Sequence, residues 1–305
     1  MNDETVLKLS RITKTYGKVA AVDDVNMTIK KGDIYGLIGK NGAGKTTLLR
    51  LVASLAFPDS GEIELFGATT ETGLQEARTR MGCVIEIPAL YPNLTAVQNL
   101  EYYQRIKGIP DKSVIQEKLE LVGLMDTGKK KFKDFSLGMK QRLGIALALL
   151  SNPDFIILDE PINGLDPSGI VEMRELLKKL NTERRITILI SSHLLSELSL
   201  VATRYGIIDQ GKLVKELTEE ELREECKQSL VITVDDISKA TSVLETVLNV
   251  KDFKVFNDSE IRIYDYFDDP SEVNYQLVSN GVRVINITEI GDSLEDYFMT
   301  LTGGY

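Results

Sequence analysis

Ile34-Tyr35-Gly36-Leu37-Ile38-Gly39-Lys40-Asn41-Gly42-Ala43-Gly44-Lys45-Thr46-Thr47-Leu48-Leu49 decides the fold of this chain. Residues 34–38 read as a short apolar strand. The spacing of Leu48, Leu49 and Val52 predicts a helix over residues 46–54. Strand, glycine loop and helix in this order are the context in which Gly-x4-Gly-Lys-Thr holds phosphate. Gly39, Gly42 and Gly44 allow backbone N–H groups to converge on an anion, and the start of the helix adds its positive end. Lys45 should reach β- and γ-phosphates and the Thr46 hydroxyl a Mg²⁺ ion. Asn41, Ala43 and Thr47 complete the nucleotide loop, whose expected ligands are ATP and Mg²⁺.

Two further apolar runs lie downstream. Phe155-Ile156-Ile157-Leu158 ends in Asp159-Glu160, and Ile186-Thr187-Ile188-Leu189-Ile190 ends in Ser191-Ser192-His193. Continuous apolar runs of this kind are parallel strands covered on both faces. Ligands of open α/β sheets gather at the carboxyl ends of such strands. Asp159 is placed there as an Mg²⁺ ligand and Glu160 as the group that polarises an attacking water. His193, the one histidine in the chain, reads as a γ-phosphate sensor.

The 305 residues bound one large domain or two ordinary ones, and 43% apolar content supports a full core. The net charge of −10 argues against nucleic acid as a partner. The basic run Lys129-Lys130-Lys131-Phe132-Lys133 reads as a solvated turn before a helix. No stretch approaches the roughly 20 apolar residues of a spanning helix, and the acidic start resembles no secretory leader, so a cytoplasmic location is expected. Cys83 and Cys226 fit no metal spacing and are expected as thiols.

Further strands are expected over residues 6–12, 25–29, 81–85, 205–209 and 212–214. Helices are expected over residues 96–107, 112–122, 138–150 and 168–180. A charged helix over residues 218–227 reads as a linker. Beyond it, residues 230–234, 237–248, 253–256, 261–264, 270–280 and 282–287 read in the order βαββαβ, the split βαβ plan, followed by a helix over residues 293–301. The expected domains are residues 1–217, with a helical subdomain over about 88–152, a linker over 218–228, and an α+β accessory domain over 229–305.

With these residues in place, the chain resembles the nucleotide-binding subunit of ATP-binding cassette (ABC) transporters over residues 1–217. Asp134-Phe135-Ser136-Leu137-Gly138-Met139-Lys140-Gln141-Arg142 resembles the family signature Leu-Ser-Gly-Gly-Gln. It keeps Ser136 and Gly138, and departs at Leu137, Met139 and Lys140. Gly164-Leu165-Asp166 resembles the loop that crosses the family's dimer interface, and Tyr16 the aromatic that stacks on adenine. Glu86 stands where the family usually carries glutamine. That departure and the stretch Glu86-Ile87-Pro88-Ala89-Leu90-Tyr91-Pro92-Asn93-Leu94-Thr95 resemble transporters that protect bacteria from lantibiotics and bacitracin-like peptides.

The resemblance implies a P-loop α/β ATPase working as a homodimer, in which Ser136, Leu137, Gly138, Met139 and Asp166 face the partner's ATP. It implies hydrolysis coupled to expulsion of antimicrobial peptides, with catalytic roles for Glu160, His193 and Glu86, and Mg²⁺ held by Thr46, Asp159 and Glu86. A transmembrane permease is expected in a groove near Glu86 and Tyr91, which would hold the subunit on the inner face of the cell membrane. The alternatives are an importer ATPase whose C-terminal domain binds a regulatory ligand, and a soluble cassette ATPase uncoupled from transport.

Overall fold

The computed structural model describes residues 4–86, 90–226, 229–257, 259–264, 269–290 and 294–302. Readings that fall on residues 87–89, within the stretch that carries the peptide-transporter resemblance, and on Asp258 in the C-terminal hairpin lie outside these. The chain forms two compact units, Met1–Glu219 and Glu220–Tyr305.

In the first unit, β1 (Thr5–Tyr16) and β2 (Val19–Lys30) form a long antiparallel hairpin. Both strands run to twelve residues, and bulges interrupt their alternation, which hides their full length in the sequence. β3 (Ile34–Ile38) is buried at all five positions and feeds the glycine loop and α1 (Lys45–Val52). β4 (Ser60–Leu65) pairs with β1 and completes the sheet β2-β1-β4. It escaped sequence reading because its inward-facing set is only Ile63 and Leu65. α2 (Glu71–Thr79) also escaped, since it buries Ala77 alone.

β5 (Met81–Val84) is followed by the helical layer: α3 (Ala96–Ile106), α4 (Ser113–Leu121) and α5 (Leu137–Ala148). α3 starts with a capping box in which Thr95 and Gln98 each satisfy the other's backbone N–H. Then come β6 (Phe155–Asp159), α6 (Pro167–Thr182), β7 (Thr187–Ser192), the short α7 (Leu195–Ser199), β8 (Arg204–Asp209) and β9 (Lys212–Thr218).

The main sheet has the order β5-β6-β7-β3-β8-β9. Every neighbour pair is parallel except β8 with β9. β3 therefore lies beside β7, and β7 beside β6. This order brings the ends of three strands, distant in sequence, to one edge. Leu48, Leu49 and Val52 of α1 pack with Leu37, Ile157 and Leu189 and with the inner face of the antiparallel sheet, including Leu7, Leu9 and Ile29.

In the second unit, α8 (Glu219–Glu225) leads to β10 (Ser229–Val234). α9 (Ile237–Thr246), β11 (Phe253–Val255), β12 (Glu260–Ile263), α10 (Pro270–Ser279), β13 (Val284–Ile290) and α11 (Leu294–Leu301) follow. The sheet order is β11-β12-β10-β13, antiparallel throughout, which is the split βαβ arrangement. Leu230, Ile232 and Val234 point to one face and pack with Ala240, Val243 and Leu244 of α9 and Val273 and Leu277 of α10.

Inside the main sheet, Tyr35 is fully buried and its hydroxyl donates to Glu216 at 2.7 Å. Burial first, and then the Glu216 carboxylate, push the phenol well above its ordinary pKa. Gly206 on β8 leaves the room for this ring: a methyl there would overlap the Tyr35 hydroxyl and come within 2.9 Å of its ring carbons. Gly206→Ala should lower the unfolding free energy by about 2 kcal/mol through overpacking. A lower midpoint in a urea titration at unchanged slope is the readout; an unshifted midpoint would show that the ring moves aside freely.

Candidate functional site

Two constraints, space and backbone angle, require the phosphate-loop glycines. A side chain at Gly39 would meet the Ile208 carbonyl oxygen at 2.5 Å and Ala43 at 3.0 Å. Gly42 and Gly44 have φ of 85° and 109°, in the left-handed region that favours glycine. Gly44 caps α1 with no side-chain hydrogen bond, so the first N–H groups of the helix remain available to an anion. The loop is tied to its surroundings by Gly39 N–H to Ser192 O at 3.2 Å and Gly211 N–H to Ala43 O at 2.9 Å.

Lys45 is 5% exposed. Its ammonium donates to Gly39 O at 2.6 Å and Lys40 O at 3.3 Å, and pairs with Glu160 Oε1 at 3.2 Å. Thr46 Oγ1 donates to Asp159 Oδ2 at 2.9 Å. The other Asp159 oxygen accepts from Ser191 Oγ at 2.6 Å, and the same Ser191 hydroxyl accepts the Glu160 N–H at 2.9 Å. Glu160 follows the strand with φ of 49°, a backbone turn that is strained for a non-glycine residue. This turn sets its carboxylate between Lys45 and His193, whose Nδ1 lies 2.8 Å from Glu160 Oε2. The structure thus gathers Lys45, Thr46, Asp159, Glu160 and His193 into one bonded cluster. Ser191 was missed from the sequence, and its signal was present: it is the first polar residue after a buried run.

Glu86 lies apart from that cluster. β5 runs in register with β6, with Val84 opposite Leu158, and Glu86 follows two residues after the strand ends. Its φ is 62°, and its carboxylate bonds the Arg50 guanidinium in the last turn of α1. Of the three residues read as metal ligands, Thr46 and Asp159 touch, whereas Glu86 has Arg50 as its partner. Arg50 was not singled out in the sequence.

Tyr91 stacks edge-on against Tyr102 at 4.7 Å. Its backbone is held by the fully buried Asn99, whose Oδ1 accepts the Tyr91 N–H at 2.7 Å and whose amide donates to Tyr91 O and Thr95 O. Tyr16, at the β1–β2 turn, is 49% exposed, with Lys14 Nζ 5.6 Å from its ring centre. Asn41 is exposed at the tip of the phosphate loop.

A second group forms at the start of α5. Ser136 caps the helix by accepting Met139 N–H at 3.3 Å, and Leu137 projects into solvent. Ser136, Leu137 and Gly138 share a cleft with Gly164, Leu165 and Asp166. Asp166 caps α6 by accepting Gly169 N–H at 3.3 Å, and it also takes the Ser168 hydroxyl at 2.7 Å. That hydroxyl is the main reason the Asp166 carboxyl is held below its ordinary pKa. Among the described residues, no hydrogen bond joins this group to the Lys45 cluster.

The donor set decides how a cation would be held. Among the described residues no group of three or more His, Cys, Asp or Glu side chains is placed to hold a metal. One hydroxyl and one carboxylate, Thr46 and Asp159, face the phosphate loop instead. Two oxygen donors fit Mg²⁺, which keeps waters and takes its other ligands from substrate phosphates. Among the described residues no helix is long and apolar enough to cross a membrane.

Residues 22–163 match the ABC transporter family. The chain is 46% identical to the bacitracin transport ATP-binding protein BcrA of Bacillus licheniformis over 300 residues, 98% of both chains. It is 43% identical to the lantibiotic transport ATP-binding protein SrtF of Streptococcus pyogenes over 211 residues, covering 69% of this chain and 90% of the relative. A dimeric structure of the ATP-binding cassette MJ0796 with ADP and phosphate superposes with a TM-score of 0.64 at 28% identity, over 70% of this chain and 99% of that one.

A depressed carboxyl pKa stabilises the fold above the unfolded value near 3.8, and the contribution is lost as pH falls through the lower folded value. Ser168→Ala should therefore move the Asp166 titration midpoint upward. A carboxyl-carbon NMR titration reads this directly; an unmoved midpoint would assign the depression to the Gly169 N–H instead.

Proposed function

This chain belongs to the ABC transporter family as an ATP-hydrolysing subunit, and we propose that it powers the removal of antimicrobial peptides of the bacitracin or lantibiotic kind. The peptide class rests on the two peptide-transport relatives, one of them similar along nearly the whole length of both chains. The observation that carries the mechanism is the bonded cluster in which Lys45 and His193 hold opposite oxygens of Glu160, while Thr46 and Ser191 hold opposite oxygens of Asp159.

Lys45 exchanges its loop carbonyls and Glu160 for the β- and γ-phosphate oxygens of ATP. The exchange leaves Glu160 free on its Oε1 side to orient water and accept its proton. His193 keeps the carboxylate turned toward the phosphate and senses the γ-phosphate. Mg²⁺, when bound to Thr46 and Asp159, would neutralise charge on the phosphate oxygens. Tyr16 stacks on adenine, and Asn41 to Thr47 wrap the phosphates.

Two copies meet head to tail, so that Ser136, Leu137, Gly138, Met139 and Asp166 of one close on the nucleotide of the other. The exposed capped start of α5 supplies N–H groups for that contact. A transmembrane permease docks near Glu86 and Tyr91, which places the subunit on the inner face of the membrane. Glu86 couples hydrolysis to that permease, acting from its pairing with Arg50.

Glu160→Gln should reduce ATP turnover by about 100-fold or more while changing ATP affinity by less than about threefold. Phosphate release and equilibrium nucleotide binding measure the two separately, and near-normal turnover would remove Glu160 as the base. In cells, the same variant should lose protection against bacitracin or a lantibiotic to the level of a strain lacking the subunit; full protection by the variant would sever the resistance from hydrolysis. Glu86→Gln should alter the ratio of peptide moved to ATP consumed more than it alters ATP affinity. Equal ratios in the two proteins would count against the coupling role.

A further inference from the structure

The loop before α5 concentrates cations in a chain whose net charge is −10: Lys129, Lys130, Lys131 and Lys133 fall within five residues. All four are exposed. Among the described residues none of them forms an ion pair, although the chain has carboxylates in excess. Lys130 has only the sulfur of Met139 at 3.8 Å and the Phe135 ring at 5.9 Å.

This loop is nevertheless built. Phe132 and Phe135 are buried beneath it, with ring centres 6.0 Å apart. A single 3-10 turn runs over Phe132–Asp134. Its backbone is bonded to the segment that follows Tyr91: Phe132 N–H donates to Leu94 O and Lys133 N–H to Pro92 O, both at 2.9 Å, and Lys131 bridges to Thr95. The lysines are therefore displayed from a fixed shelf, continuous with the Tyr91 surface. Two buried phenylalanines that anchor a row of unpaired ammonium groups differ from a solvated turn, in which no side chain has to hold the backbone.

We propose that this shelf docks an acidic cytoplasmic segment of the permease, with Lys129, Lys131 and Lys133 meeting its carboxylates. The proposal rests on the reading that the permease docks beside Tyr91, and it adds the partner's chemistry and the residues that select it. Like charges on the rest of the chain would repel such a segment, so the shelf also fixes where on the surface it settles.

The test uses the full chain and the co-expressed transmembrane subunit in nanodiscs of uncharged phosphatidylcholine. K129Q/K131Q/K133Q should bind that subunit about tenfold more weakly at low salt, and its Kd should respond less to KCl than the wild-type value does. The corresponding triple arginine variant should restore the wild-type affinity. ATP turnover of the isolated chain and its melting temperature should stay unchanged in both variants. Wild-type affinity and salt dependence in the triple glutamine variant would overturn the shelf while leaving the Tyr91 docking reading intact. Failure of the wild-type chain to bind the subunit at all would overturn the docking reading itself. Binding of the wild-type chain to permease-free vesicles containing phosphatidylglycerol, lost in the triple glutamine variant, would assign the lysines to lipid and overturn the proposal.

Discussion

A buried ammonium group must be compensated, and the rest of the site is arranged around that demand at Lys45. It has three partners: two carbonyls of its own loop and the carboxylate of Glu160, just after β6. β6 reaches that position only because β7 lies between it and β3; β7 contributes Ser191, and His193 follows its end. The charge, the sheet order and the bonded cluster are thus one constraint expressed at three scales. Moving any one strand end would leave a charged group without its partner.

The main sheet was legible because its inner strands β3, β6, β7 and β8 are short, apolar and buried on both faces, and because a glycine loop marks the entry to α1. The phosphate-loop lysine and threonine, both strand-end acids and the histidine follow from the same pattern. The elements that escaped are those with few buried residues: β4 presents two, α2 one, and α7 is only five residues long. Side-chain pairings were harder to see. Ser191 bridges two acids, and Arg50 holds Glu86 across two elements that only the tertiary fold brings together. Nothing in the linear spacing of residues 50 and 86 announces that contact. The C-terminal unit, by contrast, was readable as a fold and silent as chemistry. Its alternating Leu230, Ile232 and Val234 specify a sheet face and carry no reactive group.

The two polar groups give the chain an asymmetric surface. One ends three parallel strands in charged groups and an open helix start. The other presents Ser136, Gly138 and Asp166 around a shallow cleft with a second helix start. The first group holds two strand-end acids and the ammonium; the second holds one hydroxyl and one carboxylate, each capping a helix.

Asn99 has a mechanical consequence. Its amide is sealed inside the helical layer and holds both the N–H and the carbonyl of Tyr91, together with the carbonyl of Thr95 at the threshold of α3. The segment from Tyr91 to Thr95 cannot flex independently of the helix without breaking bonds that water cannot replace. A push on the aromatic surface is therefore delivered to α3 as a crank turns its shaft, with little lost as slack in the joint.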